Sequence, residues 1–540
     1  MFWRKWARGL ILVGFFLSIL ALSWPLNHGL FVSPDENATY IFAQAWAETG
    51  QLAIAEPLNL QLGGILHPRS AIGYGDTVIP ASFVGFILLL GTVGYVFGQS
   101  AMLLVTPLLA VLTIWLWRES VRQFFKDEKL ADWSALLLLI HPAFWYYSSR
   151  VMMHNVAFLF CLVVGLWWLL SRPLVKRSKG KFEAWALASD YLVAGAWFGA
   201  ACVIRTSELL WVGAALVVGL WLARRSVTVK GIAGVLVGFA LMLGVLGLVN
   251  YALYGSPVLN GYTVHYAYPE PALEAAPVSE VATDVAGRNL LLPFGFNERV
   301  IWYNVVNYGF KLYPWMSILA LTGMVLVAME TGESRRRWLM VLMFTLALAM
   351  WLGVVYGSWR IIDNPDPKII SLGNSHVRYW LPLFALASVF AGKAVTYMWG
   401  EHGRLRRLFV AGLGLLVLSL SFRLVFFGHD GIVPSLQALA TFEAKRSAIL
   451  ELVEGDGIVI VDRADKYLFP DRRVVGPLRS EATYAAIPDM LELAPVYYFG
   501  ITLPPEDIEY LNQQKLFNLG VKIELVVVLQ EESLYRLSKN

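Results

Sequence analysis

Apolar residues in this chain gather into long runs separated by short polar connections. Twelve runs stand out, at 9–26, 78–97, 100–117, 133–147, 152–170, 185–204, 208–223, 232–254, 312–329, 338–357, 378–398 and 406–427. Most are about 17 to 25 residues long, enough for an α-helix to cross the hydrocarbon core while satisfying its own backbone hydrogen bonds. They predict an all-α polytopic membrane bundle of about 11–13 transmembrane helices. After Phe427 the pattern changes. A helix over 435–453 leads through Gly455-Asp456-Gly457 to the buried run Ile458–Val461, and strand-like runs follow at 495–501 and 523–529 with a helix over 505–519 between them. That alternation predicts a small C-terminal α/β domain. The expected organisation is a membrane domain over 1–427 followed by a soluble extracytoplasmic domain over 428–540.

Composition agrees with a membrane chain. Of 540 residues, 57% are hydrophobic and 15% charged, with mean hydropathy +0.59, outside the usual soluble range. The net charge of +4 conceals an asymmetry: residues 428–540 carry 11 Lys or Arg against 17 Asp or Glu, so the tail is at −6 and the remainder at +10. The positive charge is spread over short connections, which excludes a nucleic-acid-binding face. Cys161 and Cys202 fall inside predicted helices, which argues against a disulfide framework or a cysteine metal site. Met-Phe-Trp-Arg-Lys-Trp-Ala-Arg precedes the first apolar run without a small-residue cleavage motif and reads as the start of a retained helix.

Basic connections set the expected topology. Arg4/Lys5/Arg8, Arg172 to Lys181, Arg224/Arg225/Lys230, Arg335-Arg336-Arg337 and Arg404/Arg406/Arg407 should face the cytoplasm, with the N-terminus, in a multi-pass cell-membrane protein. The loops 27–77, 255–311 and 358–377, the turn at Ser148-Ser149-Arg150 and the tail then lie outside. Parity requires that one of the three runs between loop 27–77 and Ser148 fail to span. Gly85, Gly91, Gly94 and Gly98 single out 78–97 as a broken or re-entrant path, placing Arg118 to Lys129 in the cytoplasm. The alternative is that the basic linker 172–181 departs from the rule.

The candidate chemistry lies in the outer loops. Asp35-Glu36 follows the first helix, and carboxylates at that depth are costly unless paired, solvated or used. Ser33-x-x-Glu36 has capping-box spacing with Pro34 at the first helical position, predicting a helix from about Pro34 to Glu48 along the membrane surface. Ile41, Phe42 and Trp46 would dip into the lipid. Glu36 then has a structural task as the cap partner, and Asp35 keeps the chemical one. His67-Pro68-Arg69 and Asp76 form a second polar cluster that suits an anionic substrate, or plain headgroup contact. Tyr147-Ser148-Ser149-Arg150 with His154-Asn155 offers a planar fork donor for a phosphate or for Asp35, or an interfacial arginine beside an aromatic belt. Arg205-Thr206-Ser207-Glu208 has the spacing of a local Arg/Glu pair. Tyr262, Tyr266, Tyr268, Trp302, Tyr303 and Tyr308 suit sugar rings or headgroups, or an interfacial girdle; the last loop adds Arg360, Asp363, Asp366, Lys368, Asn374, His376 and Arg378. In the tail, Asp462-Arg463 and Asp471-Arg472-Arg473 read as solvated surface.

The order of Pro34-Asp35-Glu36, His67-Pro68, Tyr147-Ser148-Ser149-Arg150, Arg205 and Arg378-Tyr379-Trp380-Leu381-Pro382 resembles that of the GT-C glycosyltransferases, in particular the protein O-mannosyltransferase and aminoarabinose-transferase branch. The resemblance covers roughly residues 1 to 400. It implies a GT-C-like bundle that takes a sugar from a polyprenyl-phosphate donor among the membrane lipids and passes it, with inversion, to a protein, lipid or glycan acceptor outside the cytoplasm. Asp35 would be the general base, and Arg150, Arg205 and Arg378 would stabilise the leaving phosphate. Two departures stand out. Arg69 replaces the second proline of the His-Pro-Pro pattern, and His154-Asn155 stands where a second carboxylate often helps hold a metal. The latter argues for a metal-free site, while Asp35 with His154 leaves a divalent cation open. Competing readings are a flippase or transporter of a lipid-linked sugar, and a polysaccharide polymerase or ligase.

Overall fold

The computed structural model describes residues 2–23, 26, 29–171, 181–224, 227–267, 291–361, 363, 366, 368–399 and 403–540. The linker 172–180, Arg225 and Tyr268 lie outside these residues, and Tyr266 is described only as backbone. Contacts divide the chain into two compact units. One comprises Met1–Ser23, Leu104–Leu246 and Arg288–Ser435; the other comprises Trp24–Leu103, Gly247–Gly287 and Leu436–Asn540.

The apolar runs become helices. Gln99–Phe125, Thr206–Ala223, Val229–Tyr254, Ser334–Val355, Leu381–Trp399 and Arg404–Leu452 are long and apolar enough to cross a membrane. Glu298–Lys311 and Pro314–Ala328, bent by 94° at their junction, add a seventh if they form one span. The shorter apolar helices Ala7–Ser23, Val84–Phe97, Asn155–Ser171 and Ser189–Ile204 match further runs of the sequence. The run 133–147 is not one helix. It divides into Glu128–Leu139 and Pro142–Ser149, because Pro142 brings no amide hydrogen and pushes His141 out of the α region, to ψ 124°.

In the first unit, helices pack with very close approaches. Gly323 lets Pro314–Ala328 touch the backbone of Leu381–Trp399, since a Cβ there would stand 1.8 Å from the Phe390 carbonyl oxygen. Charge orders the ends of this bundle. Arg8 donates to Asp132 at 2.8 Å, Arg118 donates to Asp132 at 2.7 Å, and Arg337 donates to the Phe124 carbonyl at 3.2 Å. The basic starts of the first helix and of Glu333–Val355 therefore share one end with the 118–132 connection. The first helix leaves that end and Met102–Phe125 returns to it. Trp133 packs on Trp399 at 5.4 Å at the same end. The 19-residue helix Leu381–Trp399, about 28 Å long, consequently carries Arg378 to the opposite end.

The second unit contains both sheets. Strands β1 (Ile54–Ala55), β2 (Ala71–Tyr74) and β3 (Thr77–Pro80) pair antiparallel in the order β1-β3-β2. The tail supplies β4 (Ile458–Val461), β5 (Arg473–Val475), β6 (Val496–Ile501), β7 (Val521–Leu529) and β8 (Glu532–Lys539), in the order β5-β4-β6-β8-β7. β4 runs parallel to β5 and β6, and β8 runs antiparallel to β6 and β7. Loop and tail are not separate bodies here. Leu62, Ile65 and Leu66 are buried in the core of the tail sheet, and Leu66 bridges Val475 at its edge.

Three expectations change in this unit. The helix Pro34–Thr49 packs against Val84–Phe97, with Phe42 fully buried in protein. Val84–Phe97 is one unbroken helix, about 21 Å long and so shorter than the hydrocarbon core. Its glycines do not break it; they admit the neighbour, because a Cβ on Gly91 would stand 2.6 Å from the Trp46 ring. The tail charges are also engaged rather than freely solvated. Tyr498 donates to Asp462 at 2.9 Å, Arg446 holds Asp471, and Arg472 donates to the Leu450 and Val453 carbonyls at 2.7 and 2.8 Å, closing the end of the helix Ile432–Leu452. Arg473 meets Glu56 at 3.0 Å.

Candidate active site

The predicted site residues divide between the two units. Asp35, Glu36, His67, Arg69 and the backbone of Tyr266 belong to the second; Arg150, His154, Asn155, Arg205 and Arg378 belong to the first.

Around Asp35 the local structure follows the sequence closely. Ser33 is the N-cap of Pro34–Thr49, its hydroxyl accepting from the Asp35 amide at 3.3 Å, while buried Glu36 accepts from the Ser33 amide at 3.4 Å. The capping box is complete, and it fixes the first turn that carries Asp35. Ser70 donates to Asp35 Oδ1 at 2.6 Å. Ser70 has φ +63°, a left-handed conformation that few residues other than glycine adopt. Arg69 turns to the tail. Its amide and its Nε each donate to Asp465 at 2.9 and 3.0 Å, and its Nη2 donates at 2.6 Å to Asp465 Oδ1 and at 3.1 Å to the Arg463 carbonyl. His67 Nδ1 stands 2.9 Å from the Pro68 carbonyl, and Asp76 sits between β2 and β3. Lys466, next to Asp465, donates to the Val32 carbonyl at 3.2 Å and lies 4.0 Å above the Phe442 ring. Burial, with Arg69 and Arg463 adding to it, pulls its amine down to about 8. Ser70, Asp465 and Lys466 were not singled out by the sequence; Asp465 lies 396 residues from its partner, and no local pattern signals such a pair.

In the first unit the arginines converge. Arg205 and Arg378 lie over the same ring, Tyr379, at 4.3 and 5.3 Å, and Arg150 lies 5.4 Å over Tyr146, its Nη1 donating to that hydroxyl at 2.5 Å. Tyr147 stands within electrostatic reach of Arg150, Arg378 and Asp363, and its hydroxyl donates to the Leu372 carbonyl at 2.9 Å. Arg205 is 1% exposed. Its Nη2 meets Glu208 Oε1 at 2.9 Å, the expected local pair, and Tyr356 Oη at 3.2 Å. Its Nε and Nη1 have no hydrogen-bond partner among the described residues. Asn155 donates to the Arg378 carbonyl at 3.4 Å, its Oδ1 also without a partner among the described residues, and buried His154 starts the same turn. Tyr356 gave no signal in the sequence, because it stands inside an apolar run. Among the described residues, no three His, Cys, Asp or Glu side chains come together as a metal-binding group.

No family model matches the sequence, and no curated protein matches it. Solved structures do. The archaeal oligosaccharyltransferase AglB from Archaeoglobus fulgidus, in complex with an inhibitory peptide and a dolichol-phosphate, aligns with TM-score 0.53 at 12% identity over 93% of this chain and 70% of that one. The chain thus has the fold of the GT-C membrane glycosyltransferases. ArnT from Cupriavidus metallidurans, bound to undecaprenyl phosphate, aligns with TM-score 0.55 at 14% identity over 98% of each chain, which brings the likeness to the aminoarabinose-transferase-like form of that fold.

Proposed function

We propose that the chain is an inverting glycosyltransferase that moves a sugar from a polyprenyl-phosphate donor to an extracytoplasmic protein, lipid or glycan acceptor. The observation that carries this reading is the arginine cluster: Arg205, buried with two guanidinium nitrogens that have no hydrogen-bond partner among the described residues, shares the Tyr379 ring with Arg378. Buried donors of that kind are costly unless an acceptor arrives, and a phosphate monoester or diester supplies charged oxygen acceptors that a planar guanidinium fork can grip in pairs. The likeness to ArnT bound to undecaprenyl phosphate supports the same donor class.

The chemistry follows from charge. The acceptor hydroxyl loses its proton to Asp35 as its oxygen bonds to the anomeric carbon, and the bond from that carbon to the phosphate oxygen breaks. The phosphate leaves as an anion and needs positive charge more than a proton, which Arg150, Arg205 and Arg378 supply without reorganising. General-base assistance of this kind is worth roughly 10² to 10⁴ in rate. Arg69 we assign to Asp465, and Glu36 to the helix cap. The direct test supplies nanodisc-embedded protein with radiolabelled polyprenyl-phosphate hexose and pentose donors. Label joined covalently to an acceptor is expected, and Asp35→Asn should lower its formation at least about a hundredfold. Label that crosses the bilayer still on its lipid would instead support the transporter reading.

A further inference from the structure

The tail emerges from the sequence with no task, and its contacts with the Asp35 loop suggest one. We propose that Asp465 and Lys466 are positioning residues for Asp35: from one four-residue helix they hold the two loop segments between which that carboxylate sits. The inference rests on Asp35 being the base.

Asp465 is buried, and it accepts from the Arg69 amide, Nε and Nη2 at once. A backbone amide and a guanidinium of the same residue on one carboxylate fix both the path of the chain and the side chain. The next residue is Ser70, held at φ +63° with its carbonyl accepting from the Ala81 amide at 3.1 Å, and it is Ser70 that donates to Asp35. A left-handed non-glycine residue persists only where its surroundings hold it, and here the surroundings are the Asp465 clamp on one side and β3 on the other. Lys466 grips the opposite flank, donating to the Val32 carbonyl immediately before the Ser33 cap. Asp465–Leu468 follows the carboxyl end of β4, where the strand order β5-β4-β6 reverses direction. That is the crevice in which open α/β sheets bind ligands. In this chain it binds a loop of the same unit.

A second loop–tail pair, Glu56 with Arg473 at 3.0 Å, provides the control, since Glu56→Gln alters only the carboxylate that meets Arg473 and leaves the Glu56 backbone bonds to Asp76 and Asn59 in place. Full-length protein in nanodiscs carrying Asp465→Asn, Lys466→Met or Glu56→Gln is compared for amide exchange over 29–36 and 66–74, and for kcat and KM in the transfer assay above. Misplacing a reacting group by about 1 Å costs around a hundredfold, so Asp465→Asn should raise exchange in 66–74 and lower kcat at least about tenfold with donor KM within about twofold. Lys466→Met should raise exchange in 29–36 with a smaller fall in kcat, and Glu56→Gln should leave kcat unchanged. Should Asp465→Asn fail to fold, Ser70→Ala removes only the hydroxyl and must still lower kcat. Unchanged exchange in both tail variants, or raised exchange with unchanged kcat, overturns the proposal. Full transfer by Asp35→Asn would sink the base assignment instead, and the exchange data would still decide whether the clamp exists.

Discussion

Arg69 and Arg205 show two ways to hold a guanidinium. Arg69, 45% exposed at its side chain, is drawn to a carboxylate of its own unit, with Asp465 accepting at 2.6 Å. Arg205, buried, lies 4.3 Å above an aromatic face and engages Glu208 through one nitrogen only. An aromatic face attracts the cation without occupying its N–H groups, whereas a bidentate carboxylate uses them up. The comparison teaches that an arginine near a reaction site is a ligand for substrate or a piece of scaffold according to what it leans on, and sequence position does not distinguish the two.

The largest effect that bears on this is the loss of transfer in Asp35→Asn, which separates the chemical carboxylate from the scaffold around it. Next comes Arg378→Gln against Arg69→Gln. The former should raise donor KM about 10- to 100-fold, as removal of a charged hydrogen bond to a phosphate does, while the latter should spare donor KM and act on kcat through Ser70. The reverse pattern in steady-state kinetics would break the comparison. Arg205 is a poor probe, because removing it strands Glu208 buried and unpaired at several kcal/mol.

The smallest effect concerns pH. Lys466 titrates near 8 when folded, with Arg69, Arg463, Asp465 and Glu532 around it, against 10.5 for a free lysine. Between those values the unfolded chain holds a proton that the folded chain has released, so this group makes stability rise with pH across the window. Thermal melting in detergent should show wild type gaining on Lys466→Met from pH 8 to pH 10; a constant difference would remove Lys466 from the buried clamp.

Much of this was legible locally. The Ser33–Glu36 box, the buried strand Ile458–Val461 and the Arg205–Glu208 pair all rest on spacings within four residues, where helix and strand geometry leave little choice. The run 78–97, which parity singled out as broken or re-entrant, holds one unbroken helix over Val84–Phe97, and its Gly91 serves packing against Trp46. What stayed hidden was every partner brought from afar: Asp465 for Arg69, Tyr356 for Arg205, and the tail sheet as the core of the Asp35 loop.

By itself, then, the amino-acid order determined a helical membrane chain, a small α/β tail, a capped helix presenting Asp35 and arginines at the ends of helices, because hydrophobic period and caps act over one or two turns. Only the tertiary structure decided which arginines meet rings and which meets a carboxylate. Those choices depend on side chains hundreds of residues apart sharing one buried environment, and a buried charge takes its role from whatever is packed around it.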